Sequence, residues 1–150
     1  MKDKLLQSGA EAQIWKTIFL NDAAVYKKRV PKNYRINELD LKIRSRRLQS
    51  EVNLLHKAKL AGVRTPVVYG VDKKNAGFWM EFLGKNRFKN ELFKKNKKNA
   101  KLCQEAGVMI AKLHAYGLVH GDLTTSNFIV EKNELVLFDF GLGFFSGKIE

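Results

Sequence analysis

The sequence predicts an α+β fold, with a β-rich first half around one long helix and a second half of one helix followed by a short hairpin. Three observations carry that expectation. Strand-like runs fill residues 14–30 and 67–83, helical spacing of apolar residues fills 40–61 and 100–116, and two short apolar runs flank a polar turn between 128 and 138.

The first run, IWKTIFL (14–20), and the second, AAVYKKRV (23–30), are joined by Asn21-Asp22, which suits a tight hairpin turn. Pro31 lacks an amide donor and ends the second strand. From residue 40 to 61 the period changes, placing Ile43, Leu48, Val52, Leu55 and Lys59 near one helical face, with Gly62 as the C-terminal cap. After Pro66 follow two more strands, VVYGV (67–71) and GFWMEFL (77–83), separated by the polar turn 72–75. Four strands and one helix make a small α+β unit. The second half opens with a Lys/Asn-rich stretch read as an exposed connector or a frayed helix start. A helix over 100–116 follows, with Cys103, Ala106, Ile110 and Leu113 as its buried stripe, and Gly117 stops it. A loop over 120–127 leads into strands 128–130 and 135–138, with a turn between them.

Bulk properties narrow the class. The chain has 150 residues, 45% hydrophobic and 29% charged, which is globular composition, enough for one domain with a moderate core and short for a two-lobed catalytic domain. Met1-Lys2-Asp3-Lys4 does not open a signal peptide, and no apolar run approaches the ~20 residues of a membrane span. A single cysteine, Cys103, allows no internal disulfide, so a cytoplasmic location is expected, or a nuclear one in a eukaryote. Net charge is +13, with basic residues clustered at 27–47 and 85–101. Such a surface is either solvated lysine or a contact for RNA or an acidic protein. Only Phe88 and Phe93 interrupt the second cluster, so base stacking is not signalled.

The chemistry sits in His120-Gly121-Asp122, in Asn127 five residues after that aspartate, and in Asp139-Phe140-Gly141. Phosphoryl transfer needs a carboxylate to orient the nucleophile and oxygen ligands to hold Mg²⁺ against phosphates. In that pattern Asp122 orients the attacking hydroxyl, while Asn127 and Asp139 ligate metal. The hairpin between the two motifs brings both to one edge. His120 reads as a loop histidine whose hydrogen bonds hold the loop, and His56 and His114 read as structural. The same pattern asks for a strand lysine paired with a helix glutamate, which Lys27 and Glu51 supply. Lys28 is the rival of Lys27, since strand alternation lets only one face inward. In Ser8-Gly9-Ala10-Glu11-Ala12 one glycine stands where such a loop has three, leaving Gly9 and Ala10 as the backbone that approaches phosphate. Met80, Glu81 and Leu83 lie where the chain should cross between lobes. There they would meet an adenine edge, or else form an ordinary strand end.

HGDLTTSN (120–127), DFGLG (139–143), GAEA (9–12) and YKKRVPKNYR with Leu39-Asp40 just beyond together resemble the small atypical kinase of the KEOPS complex, the PRPK family. Residues 49–62 and Thr65-Pro66-Val67-Val68-Tyr69 fit the same pattern, so the resemblance spans essentially the whole chain. It implies a minimal bilobal protein-kinase-like fold binding ATP and Mg²⁺, with Lys27, Glu51, Asp122, Asn127 and Asp139 as its motif residues. It also implies an ATP-dependent serine/threonine kinase or ATPase supporting threonylcarbamoyladenosine modification of tRNA. The partners implied are the KEOPS threonylcarbamoyltransferase subunit, other KEOPS subunits and tRNA, with no membrane.

Two positions depart from ordinary protein kinases. Gly121 replaces the arginine that would pair with a phosphorylated activation loop. Thr124 replaces a lysine near the transferred phosphate, which should slow transfer to a protein hydroxyl and fits water as acceptor. Nine residues follow Gly141, where the family continues with several helices and a basic tail. The expectation is therefore an N-lobe over 1–84 and a partial, truncated C-lobe over 85–150, with a partner subunit supplying the missing packing. Two alternatives stand beside this reading: a RIO-type or small-molecule kinase, and a catalytically weak scaffold bridging subunits and tRNA.

Overall fold

The computed structural model describes residues 3–94 and 97–147; Lys95 and Asn96 of the second basic cluster, and the chain's first two and last three residues, lie outside the described residues. Two compact units emerge. One comprises the residues up to Val52 together with Val67–Phe82, and the other comprises Asn53–Pro66 with the residues from Leu83 onward.

The first unit is a five-stranded antiparallel sheet in the order β1-β2-β3-β5-β4, made of β1 (Lys4–Ser8), β2 (Ala12–Phe19), β3 (Asp22–Arg29), β4 (Val68–Asp72) and β5 (Gly77–Glu81). The sequence reading missed β1, because four of its five residues are exposed and no apolar alternation marks it. The β2–β3 turn sits one residue earlier than expected. Leu20 and Asn21 take φ of 47° and 73°, the left-handed pair of a type I′ turn, and Asp22 instead opens β3 opposite Phe19. Register places Trp15, Tyr26, Trp79 and Gly70 side by side on one face of the sheet, and Ile14, Lys27, Phe78 and Val71 side by side on the other. The first face is aromatic, with ring centroids 4.7 Å apart for Tyr26–Trp79 and 5.2 Å for Phe19–Trp79. At Gly77 a Cβ would lie 2.5 Å from the Tyr26 hydroxyl, so that ring's seat needs glycine.

Helix α1 (Asn37–Leu60) begins three residues before its expected start. It buries Leu48, Glu51, Leu55 and Ala58, while Ile43, Val52 and Lys59 stay half-buried. Its end is a Schellman motif. Gly62 at φ 77° donates its N–H to the Lys59 carbonyl, and Val63 donates to Ala58.

In the second unit, α2 (Phe88–Phe93) forms in the stretch expected as an exposed connector or a frayed helix start, with Phe88 buried against Phe128 edge-on at 6.1 Å between centroids. Helix α3 (Lys98–Ala115) buries Leu102, Ala106, Met109 and Leu113. The expected stripe was rotated by about one residue: Cys103 is exposed and Ile110 only half-buried. The hairpin of β7 (Phe128–Glu131) and β8 (Glu134–Leu137) turns on Lys132 and Asn133, both at positive φ. Leu83, Ile129, Val136 and Phe138 form the core beneath it. Glu105 of α3 accepts the Leu135 N–H at 2.8 Å, and Arg64 grips Glu131 and Glu134 at 2.5 and 3.1 Å, holding the hairpin from two sides. Two-residue strands β6 (Leu118–Val119) and β9 (Phe144–Phe145) pair beyond it. Among the described residues no helix is long and apolar enough to cross a membrane.

Candidate active site

Strand alternation in β3 settles the rivalry between the two lysines. Val25, Lys27 and Arg29 are buried, and Lys28 points to the other face. The Lys27 Nζ donates to Glu51 Oε1 at 2.6 Å. Arg29 Nη2 donates to Glu51 Oε2, also at 2.6 Å. One carboxylate, 1% exposed, is therefore shared by two cations that are each 6% exposed. The triad carries a net positive charge inside the first unit, and burial strengthens each interaction relative to water. Arg29 escaped the sequence reading, although its signal was present: it follows Lys27 by two along a strand and so shares its face.

The loop of the second unit is ordered by His120. The Asp122 backbone N–H donates to His120 Nδ1 at 3.3 Å, which leaves the proton on Nε2, and Nε2 donates to the Phe138 carbonyl at 3.0 Å. The ring is 2% exposed and lies 4.5 Å from the Phe140 ring. Burial pulls its pKa below the usual imidazole value, outweighing the Phe138 carbonyl and the charges of Asp139 and Asp122, which pull upward. A neutral imidazole thus fastens the His-Gly-Asp loop to the end of β8.

Asn127 is buried at the end of a 3-10 turn (Thr125–Asn127) and donates Nδ2 to both the Asp122 carbonyl at 2.8 Å and Asp122 Oδ2 at 3.0 Å. Turning the amide over would set its oxygen against those two oxygens, so the orientation is determined. The carboxamide oxygen takes part in neither bond and is free of that pairing for a hard cation. Asp139 takes φ 64°, a left-handed conformation uncommon outside glycine, and follows the second strand of the hairpin that Asn127 precedes. The Phe138 N–H donates to the Asn127 carbonyl at 3.0 Å, so backbone pairing brings the two motif ends together. Asn127 and Asp139 could therefore offer oxygen donors beside Asp122, a chemistry that would suit Mg²⁺ shared with phosphate. Among the described residues no group of three or more His, Cys, Asp or Glu could hold a metal, and His56 and His114 are exposed on their helices.

Gly121 has a reason beyond a missing arginine. It sits at φ 81°, and a Cβ there would lie 2.1 Å from the Leu142 carbonyl oxygen. No side chain fits.

The Gly9–Ala12 segment is a tight turn in which the Gly9 N–H donates to the Ala12 carbonyl at 2.9 Å. The Ala10 carbonyl receives Lys32 Nζ at 2.6 Å. A Cβ at Gly9 would meet only the Ala12 carbonyl, at 3.6 Å, so nothing in the chain itself requires glycine there. Met80 and Glu81 lie on β5 in the first unit, the former 9% exposed; Glu81 is doubly tied to Val67, donating its N–H to the carbonyl at 2.8 Å and accepting the amide on Oε2 at 3.1 Å. Leu83 belongs to the second unit and is buried in its core.

Comparison with known proteins sets the class: the RIO domain family matches residues 15–142. Over 155 aligned residues the chain is 42% identical to the KEOPS complex subunit Bud32 of Pyrococcus abyssi, covering 98% of this chain and 70% of that protein. It is also 42% identical over 150 residues to a probable bifunctional tRNA threonylcarbamoyladenosine biosynthesis protein of Methanobrevibacter smithii, and 40% identical over 146 residues to one of Methanothermobacter thermautotrophicus. The chain spans all or nearly all of its own length in these matches but only 27% and 26% of those bifunctional proteins. It belongs to the Bud32 family of RIO-domain atypical kinases. The RIO-type alternative and the KEOPS-type reading therefore name one family at two depths.

Proposed function

We propose that the chain binds ATP with Mg²⁺ and acts as an atypical serine/threonine kinase or ATPase. It would serve threonylcarbamoyladenosine formation in tRNA within a KEOPS assembly, through the threonylcarbamoyltransferase subunit and its companions. The observation that carries this reading is the Asp122–Asn127 pairing, which leaves the amide oxygen of Asn127 for a cation at the same end of the hairpin as Asp139. The names of the relatives supply the pathway.

Asn127 and Asp139 are the residues that would hold Mg²⁺, which supplies charge neutralisation for the phosphates. Lys27, steadied by Glu51, is assigned to the α- and β-phosphates. Asp122 orients the acceptor. Gly9 and Ala10 are assigned to the phosphate side, and Met80, Glu81 and Leu83 to the adenine. With the Gly9 amide committed to its own turn, phosphates receive little grip from this loop, which favours slow turnover. Thr124 brings no charge to the transferred group, which favours water as acceptor. The minimal bilobal arrangement, with residues 1–84 as N-lobe and 85–150 as a partial C-lobe, is part of the same proposal, as is tRNA contact through the basic surface.

The test is ATP turnover by the chain in complex with its cellular partners, with and without tRNA, for wild type and Asp122→Ala. Turnover in wild type, stimulated by tRNA and lost in the variant, supports the proposal. Equal rates, or none in either, would make the chain a scaffold.

A further inference from the structure

Arg87 stands at the entrance to α2, and its position is fixed by backbone before its side chain is considered. It bridges to Ile129 of β7, and the neighbouring Asn86 carbonyl accepts the Val130 N–H at 2.8 Å. From there Nη1 donates to the Ser126 carbonyl at 2.8 Å, and the guanidinium carbon lies 4.5 Å from the centroid of the Phe138 ring. Ser126 immediately precedes Asn127, and Phe138 immediately precedes Asp139. One half-buried side chain thus touches the residue before each of two site residues.

We propose that Arg87 is a positioning residue for the metal-binding pair, clamping the Ser126 carbonyl and the Phe138 ring so that Asn127 and Asp139 keep their mutual placement. A guanidinium suits this role because its plane can stack on a ring while its edge donates hydrogen bonds. Burial pulls the Arg87 pKa down while the Asp139 charge pulls it up, so the cation and that carboxylate sense one another. The clamp also compensates for strain: Asp139 is held at φ 64°, and such a conformation persists only when its surroundings over-determine it. The inference rests on the nucleotide reading of the site and adds to it the residue that sets its metal affinity.

The experiment titrates Mg²⁺ against ATP binding and turnover in wild type, Arg87→Met and Arg87→Lys, with ATP affinity also measured in chelator. Arg87→Met keeps the stem and loses the fork and the charge. The expected result is a Mg²⁺ requirement raised about 10-fold or more, the range for residues that orient metal ligands. ATP affinity without metal stays unchanged, and Arg87→Lys recovers part of the loss. A folded Arg87→Met with the wild-type Mg²⁺ requirement overturns the proposal, as does a loss of metal-free ATP affinity by the same factor. Should Arg87→Met not fold, Arg87→Lys decides alone, since lysine reaches the carbonyl without stacking as a plane: a wild-type requirement in that variant also refutes the clamp. A wild type that binds no ATP, with or without Mg²⁺, sinks the nucleotide reading itself, which separates the two failures.

Discussion

Replacing Glu51 by Gln removes the carboxylate that two buried cations share, and the structure sets how much that should cost. Lys27 and Arg29 each reach Glu51 at 2.6 Å, and all three side chains are at most 8% exposed. Removing one partner of a buried ion pair costs about 3–5 kcal/mol, because the remaining charge is left uncompensated. Glu51→Gln weakens two such contacts at once and falls at the upper end, about 5 kcal/mol. Arg29→Met removes the same kind of contact but leaves a neutral Lys27–Glu51 pair. Its loss should be about 1.5–3 kcal/mol, the range for one hydrogen bond to a charged group. At about 2–4 °C per kcal/mol for a chain of this size, Glu51→Gln lowers Tm by about 10–20 °C. Urea denaturation of the two variants and wild type, with m-values compared to confirm a common unfolding reaction, measures the difference. Equal losses, or a larger loss in Arg29→Met, would refute the claim that two buried cations share one carboxylate.

Lowering pH should weaken the fold through His120. Its folded pKa is depressed, so between the unfolded value of about 6.5 and that lower value the unfolded chain binds the extra proton, and stability falls as pH drops through this window. His120→Asn should flatten the slope between pH 7.5 and 5.5 in urea midpoints; an unchanged slope would assign the dependence elsewhere. Restoring the ordinary-kinase arginine, Gly121→Arg, should destabilise the loop. Left-handed backbone costs about 1–2 kcal/mol in a non-glycine residue, and the clash with the Leu142 carbonyl comes in addition. Gly121→Ala should already lower the urea midpoint, and a wild-type midpoint would contradict the geometry.

Much of the candidate site's geometry was legible because its residues are tied to short-range patterns. Asp122, Asn127 and Asp139 sit at fixed spacing around a hairpin, and alternation allowed one of Lys27 and Lys28 to face inward. What escaped depended on tertiary packing. Arg29 looked like surface charge until Glu51 was seen between it and Lys27. Arg87 lies in a lysine-rich stretch with no apolar period, and only the approach of β7 and Phe138 gives it a role. Cys103 was placed in a stripe that α3 presents one residue away, through Leu102 and Met109, since several faces of that helix carry apolar residues. Strand β1, exposed at the sheet edge, had no hydrophobic signature to read.

The central claim, that two carboxylates and an amide gather a divalent cation against a nucleotide, is tested most directly by ATP affinity with and without Mg²⁺ in wild type and Asp139→Asn. Asparagine tolerates the φ of 64° at this position, so the variant should fold. Calorimetric titration should show ATP binding strengthened by Mg²⁺ in wild type, with that increment gone in Asp139→Asn. A folded Asp139→Asn that keeps the full Mg²⁺ increment, or a wild type that shows none, would contradict it.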